Sequence, residues 1–503
     1  MRAKKVIVNS LWGIIYKVFV IFLGFIGRTA FIHFLSAEYL GISGLFSNIL
    51  TMLSLSELGF STAISFHLYK LLSENEQKKI AGIMNFYKNV YRIVAISILI
   101  IGLSILPFLK YIVKDTTFSL KYISLIYIIY LLKTVLSYLF SYNFTIAIAD
   151  QNRYLLTKID IIMHILMSLT NIFSLFLFKN YIIYLIGEII LGIIGNAIKS
   201  IKVHKEYPYI KEKVKISSEV KRKILKDVKN IFAGKISTVI VTSTDNILIS
   251  ALISVKTVGI YSNYFMLISY VQNMIGEITL ATQSSIGNML NSETKEYSYI
   301  ILKRLTIILY FIASFSSVCI FNLINPFIEI WLGKEYLLGT SIVAICVLNF
   351  YIQILKTPLW FSVTGIGFFE EDRNIAILGA ISNLFISIIA AYFWGLFGIF
   401  FGTVFSQSIQ WILKTQLFIK KYLQNSITEY VKLYSYLLIL TVLMSMGIHI
   451  IFIFFTFNNR ITAFIIKFLI CIFVPNLINF IIFHKREEYK YLLSLLKKIF
   501  KRK

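Results

Sequence analysis

The sequence predicts an all-α polytopic membrane protein of about fourteen transmembrane helices, on three observations. Hydrophobic residues make up 58% of its 503 and charged residues 15%, whereas soluble domains carry about a quarter charged residues. Mean hydropathy is +0.78. The apolar residues gather in runs of roughly 18 to 28, about the length of a helix that crosses some 30 Å of hydrocarbon. The short alternating runs of a lipid-facing barrel are not the pattern.

The first run begins near residue 9, after the basic start MRAKK. It exceeds the apolar region of a signal peptide and no small-residue cleavage site follows, so it reads as the first span. Further runs begin near 42, 89, 121, 159 and 181, which completes six spans. A basic stretch follows: residues 199–229 hold eleven Lys and Arg against four Asp and Glu. Six more spans begin near 230, 257, 304, 337, 374 and 396, and a last two near 430 and 461. The chain closes on EEYKYLLSLLKKIFKRK, in which Tyr489, Leu492, Leu493, Leu496 and Ile499 share one helical face. Both basic segments are expected to lie as interfacial helices on an anionic leaflet. Cys319, Cys346 and Cys471 stand inside expected spans without close spacing, the pattern of buried small hydrophobes rather than of a disulfide framework or metal site.

Topology accounts for most of the net charge of +26. Of the 50 Lys and Arg, 37 fall in the two termini and the loops on their side, 7 in the opposite loops and 6 within spans. The positive-inside rule therefore places both termini in the cytoplasm. No groove-reading motif accompanies the charge, which argues against a nucleic-acid partner.

The two halves of the chain repeat each other. Gly41 in EYLGISG matches Gly259 in KTVGIYS, Ser73-Glu74 matches Ser292-Glu293, and Arg153 ending DQNR matches Arg373 ending EEDR, at offsets of 218, 219 and 220. Landmarks that hold register over more than a hundred residues indicate duplication. Six spans per copy is an even number, so both copies enter from one side and are related by an axis along the membrane normal. The expected organisation is an N-terminal lobe over 1–203 (spans 1–6), a cytoplasmic basic linker over 204–229, a C-terminal lobe over 230–425 (spans 7–12), spans 13 and 14 over 426–484, and a cytoplasmic basic amphipathic tail over 485–503.

The run RTAFIHFLSAEYLGISGLFSNILTMLSLSELGFSTAISFHLY, Arg28 to Tyr69, and its weaker echo STDNILISALISVKTVGIYSNYFMLISY, Ser243 to Tyr270, carry a family resemblance. They resemble the polysaccharide-transporter branch of the multidrug/oligosaccharidyl-lipid/polysaccharide (MOP) exporter superfamily, the bacterial flippases of lipid-linked oligosaccharides. The resemblance implies two six-helix lobes forming a V that opens to one leaflet at a time, with two further helices beside one lobe. It implies an undecaprenyl-pyrophosphate-linked oligosaccharide as cargo, moved from the cytoplasmic to the outer leaflet of the bacterial inner membrane for O-antigen, capsule or exopolysaccharide synthesis. Membrane lipids, and the polysaccharide polymerase and chain-length machinery, are the implied partners.

Against that implied cargo, Arg28 gains a physical reading. A charge at the centre of a membrane helix costs about 2.5 to 3.5 kcal/mol on insertion scales, so it should face a watery cavity or a partner. Lys17 lies eleven residues earlier, close to three turns, and so on nearly the same face. A guanidinium clasps a diphosphate through two parallel bonds, whereas an ammonium acts as a point charge. Arg28 is thus the expected diphosphate contact and Lys17 a way station, against the alternatives that Arg28 bridges to Glu57 or snorkels to the surface. Lys133, Lys235 and Lys356 would extend the cationic lumen, snorkelling being the competing reading for Lys235. Asp245 (the repeat-equivalent of Arg28), Glu277 and Glu57 are the candidates for coupling to a proton or cation, or else, with Glu188, neutralise these bases.

Other chemistries find little support. No extracytoplasmic loop exceeds roughly fifteen residues, which leaves a polytopic polymerase or ligase nowhere to assemble its catalytic groups. No phosphate-binding glycine loop, HExxH pair or nucleotide fingerprint is present, so no ATP and no cofactor is expected, and an ion gradient or the membrane potential would drive transport. A multidrug cation antiporter of the same superfamily is the alternative. By resemblance it would stop at twelve spans and line its cavity with acids.

Overall fold

The computed structural model describes residues 2–54, 59–454, 459–487 and 489, and among them no strand occurs. Ten helical stretches of these residues are long and apolar enough to cross a membrane. The remaining expected spans are also helical. The second is divided into α2 (Ala37–Leu53) and α3 (Phe60–Ser73), the seventh is α10 (Ser218–Leu252) and the eighth is α11 (Val255–Ser292). Spans eleven and twelve form one stretch, α15 (Phe369–Thr415), which turns at Gly395 with φ +54. That backbone conformation suits glycine because it has no Cβ. Beyond the turn the chain folds back on itself: Ser387 Oγ donates to the Ile399 carbonyl at 3.0 Å and Asn383 Nδ2 to Thr403 Oγ1 at 3.0 Å. In a medium without water, such internal bonds are how buried polar groups are satisfied.

The chain divides into two compact units, residues 1–259 and 260–503. In the first, α1 (Arg2–Phe34) packs on α8 (Arg153–Phe178), α8 on α9 (Tyr181–Glu206), α4 (Gln77–Ile105) on α6 (Leu120–Ser141), and α10 on α2. Its core is rich in buried aromatics, Phe46, Tyr87, Tyr91 and Tyr127 among them. Lipid offers no hydrophobic drive for helix association, so close fit and polar bonds hold these helices together. Both devices meet at one end of α2. A Cβ on Gly41 would stand 1.8 Å from the Val255 carbonyl oxygen, and one on Gly259 1.8 Å from that of Ala37. The two repeat-matched glycines thus pack the first turns of α2 and α11 backbone to backbone. Beside them the buried carboxylate of Glu38 accepts from Thr117 N at 2.6 Å and Thr117 Oγ1 at 2.7 Å, while Val255 N donates to the Lys114 carbonyl at 3.2 Å.

The repeat is visible in the elements as well. Gly41 and Gly259 are each the fifth residue of their helices, and Ser73 and Ser292 are each the last of α3 and α11. In the second unit α12 (Lys295–Trp331) packs against α13 (Thr340–Leu355), α16 (Ile427–Phe454) and α17 (Arg460–Phe483). Tyr310 of α12 donates to Asn479 Oδ1 of α17 at 2.9 Å, and Lys303 of α12 to Glu429 of α16 at 2.7 Å. Cys319 and Cys471 meet between α12 and α17 with the Cys319 thiol 3.5 Å from the Cys471 carbonyl oxygen, and all three cysteines are free.

The 199–229 segment is not one continuous helix. It comprises the end of α9, a short 3-10 turn over Pro208–Lys211, an irregular run to Ser217 and the start of α10. Pro208 cannot continue α9, and the run after it binds sideways to α4, where Asn85 Nδ2 donates to the Glu212 carbonyl. Tyr207 anchors the turn by donating to Asp150 Oδ2 at 2.9 Å. The basic tail lies outside the described residues from 490 onward.

Candidate functional site

Unit one carries a polar layer inside its helices. Lys133 of α6 donates to Glu188 of α9 at 2.5 Å, and the other carboxylate oxygen accepts from Asn171 of α8 at 3.2 Å. One turn before Lys133, the Tyr130 hydroxyl lies 2.8 Å from Tyr181 of α9 and donates to Ser43 of α2 at 2.8 Å. Arg28 of α1 is half-buried and within electrostatic reach of the Tyr130 and Tyr184 phenols. It sits six residues before the end of α1, about 9 Å along the axis. Phe31, one turn on, packs edge-on against Tyr181 and Tyr184 at 5.6 and 5.4 Å. The Lys133–Glu188 pair thus stands among several hydroxyl and amide groups, with the Arg28 guanidinium close to the same phenols. Such a layer is costly in hydrocarbon, and it suits an anion carrying hydroxyls.

A second polar layer runs through unit two. Lys356, at the junction of α13 and α14 (Thr357–Gly365), donates to Gln407 of α15 at 2.9 Å. Gln407 donates to Asn349, which also accepts from Gln353 at 3.5 Å, and Gln353 in turn accepts from Gln272 of α11. The Lys356 and Lys414 ammonium groups lie 4.9 and 4.2 Å from the centre of the Trp360 ring. Lys414 is 2% exposed and ion-paired with Asp372. A ring face, a carboxylate and amide oxygens together replace the water these ammoniums have lost.

The sequence-predicted residues fall unevenly on this geometry. Arg28 and Lys133 converge on the first layer, and Lys356 belongs to the second. Lys17 is on α1 and exposed. Lys235 is on α10 with its side chain outside the described ones, and Glu57 lies outside the described residues altogether. Asp245 is half-buried on α10 in unit one, and Glu277 is exposed on α11 in unit two. Glu188 takes up the neutralising role expected of the intramembrane acids, toward Lys133. Lys414, which the sequence places among loop bases, is instead buried inside α15. Its partner is 42 residues away across the Gly395 turn, a pairing that only the hairpin creates. Tyr130, Tyr181 and Tyr184 do not stand out among the chain's 31 tyrosines. Their one signal is the three-residue spacing of Tyr130 to Lys133 and of Tyr181 to Tyr184, which puts each pair on one helix face.

Comparison with solved structures places this architecture. The lipid II flippase MurJ, in an inward closed conformation, aligns over 95% of this chain and 99% of its own, with a TM-score of 0.68 at 19% identity. A multidrug resistance MATE family transporter of the MOP superfamily, inward-facing, covers 79% of this chain and 92% of its own (TM-score 0.63, 14% identity). The Vibrio cholerae MATE transporter VcmN, as a mutant, covers 82% and 96% (TM-score 0.56, 11% identity). At these identities the likeness is one of fold. No curated protein sequence matches the chain. The family described as "Polysaccharide biosynthesis protein" matches residues 5–283, more than half of the length. With that match the chain belongs to the polysaccharide biosynthesis protein family, as a multi-pass membrane protein that shares the fold of these transporters.

Proposed function

We propose that this protein is a flippase that moves an undecaprenyl-pyrophosphate-linked oligosaccharide from the cytoplasmic to the outer leaflet of the bacterial inner membrane, by alternating access, for surface polysaccharide synthesis. The observation that carries the reading is the polar layer of unit one. Lys133, paired with Glu188, and Arg28 stand around the same tyrosine hydroxyls, and a diphosphate with sugar hydroxyls is the chemistry that such groups would bind. Family membership supports the pathway. The protein acts as a transporter and catalyses no covalent step; an ion gradient or the membrane potential drives it, and both termini face the cytoplasm, as the charge distribution requires. Asp245 and Glu277 remain the proposed coupling residues. Surface polymerase and chain-length proteins are the proposed recipients of the cargo. The multidrug antiporter reading draws on the MATE likeness, but a polar layer that holds both Arg28 and Lys133 disfavours a cationic drug. Deleting the gene and locating the lipid-linked glycan tests the proposal. Intact glycan held on the inner leaflet is the expected result. A glycan of altered chemistry, or one reaching the outer leaflet at the normal rate, would refute it.

A further inference from the structure

A second cationic site lies away from both polar layers, at the linker end of unit one. We infer that the cavity between α4 and the linker is a binding site for a phosphate group, borne by a lipid headgroup or by a soluble phosphate ester. The cavity measures about 440 Å³, within the range of small-ligand sites. Lys88 and Arg92 of α4 and Lys211, Lys213 and Lys215 of the linker line it, and no Asp or Glu does.

The sequence dictates that crowding. Lys211 closes the 3-10 turn that Pro208 opens, and the bond from Val214 N to the Glu212 carbonyl at 3.0 Å bends the chain at Lys213, so Lys211, Lys213 and Lys215 all line the one cavity. On a helix, residues four apart are neighbours, which pairs Lys88 with Arg92. The linker is held against α4 at Gly82, where an added Cβ would come within 2.8 Å of the Ile216 side chain, and at Asn85, which bonds the Glu212 and Val214 carbonyls. Five like charges are thereby held around one space. Among the described residues none of the five is in an ion pair; Lys88 alone has a ring contact, 5.8 Å from the centre of Tyr142. Like charges at such spacing repel, and a bound anion relieves the repulsion.

The cavity also offers an acceptor. Asn143 is 2% exposed, and its amide nitrogen donates to Ser200 at 2.8 Å, which leaves Oδ1 buried and without a partner. An acceptor beside a ring of cations fits a phosphate esterified to a group with hydroxyls. Across the linker, a second cavity is lined by Phe66, Leu71, Ile83 and Ile216 and rimmed by further lysines, a setting suited to an acyl chain. Occupancy of the phosphate site fastens the linker, and through it the start of α10, to α4.

The test uses the full-length protein in phosphatidylcholine nanodiscs, with thermal unfolding followed as glycerol phosphate is added to the buffer or phosphatidylglycerol is incorporated in the disc. Wild type should be stabilised in one arm or both, and the arm that responds identifies the carrier. The triple variant Lys211→Gln, Lys213→Gln, Lys215→Gln should melt at or above wild type without ligand, since it carries less repulsion, and bind about tenfold more weakly, because three charge-assisted contacts are lost. A control with Lys295, Lys420 and Lys432 changed to Gln removes equal charge elsewhere and should respond as wild type does. No response of wild type in either arm, or equal responses of wild type and the linker variant, would overturn the proposal.

Discussion

Lys133 illustrates what a membrane interior demands of a single side chain. Its ammonium and the Glu188 carboxylate neutralise each other at 2.5 Å, and Asn171 occupies the second oxygen. Removing the base strands the acid. Lys133→Met is therefore expected to lower stability in detergent by about 1 to 3 kcal/mol, the cost of a buried group left without its partner. Adding Glu188→Gln should restore most of that stability while leaving export impaired, and the pair of measurements separates a structural from a transport role. Recovery of export together with stability would assign Lys133 to structure alone. Arg28 allows a sharper comparison at normal membrane abundance. Arg28→Ala should abolish export and Arg28→Lys restore part of it, since the ammonium keeps the charge and loses the fork. Surface glycan is the readout, and full activity of Arg28→Ala would exclude a cargo contact.

At the level of elements, the α2–α11 crossing is the contact most tightly specified by sequence. Gly41 and Gly259 bring two backbones so close that a methyl group at either overlaps a carbonyl oxygen. Gly41→Ala should cut the amount of folded protein in the membrane severely. Gly44→Ala, one turn further along, should be tolerated, because its Cβ would stand at an ordinary 3.5 Å from Asn246 and Val258. Equal loss in both variants, measured as detergent-stable protein, would argue against the crossing. The glycines are legible in the sequence as repeat landmarks but not as partners, since nothing in a match between two segments says that they touch. Much the same divides the rest of the fold. Spans are readable because hydrocarbon thickness imposes their length, and the α15 hairpin because two runs adjoin at Gly395. The linker passes for an amphipathic helix when its charge is weighed without Pro208 and the alternation of Lys211, Lys213 and Lys215. Lys414 reads as a loop base because its partner, Asp372, becomes a neighbour only after the hairpin closes.

For the whole molecule, the charge asymmetry predicts an orientation that accessibility can check. With Cys319, Cys346 and Cys471 first changed to serine, a cysteine at Lys114 or Lys334 should react with an impermeant thiol reagent in intact cells, whereas one at Ser218 should not; all three positions are exposed. Reaction at Ser218 in sealed cells would invert the topology. The central claim is translocation of a lipid-linked glycan, and reconstitution measures it most directly. Purified protein in liposomes carrying undecaprenyl-pyrophosphate-linked oligosaccharide on the inner leaflet alone should bring the sugar within reach of an impermeant glycosidase, and Arg28→Ala incorporated to the same level should not. Liposomes with wild-type protein that expose no more sugar than empty ones would contradict the account.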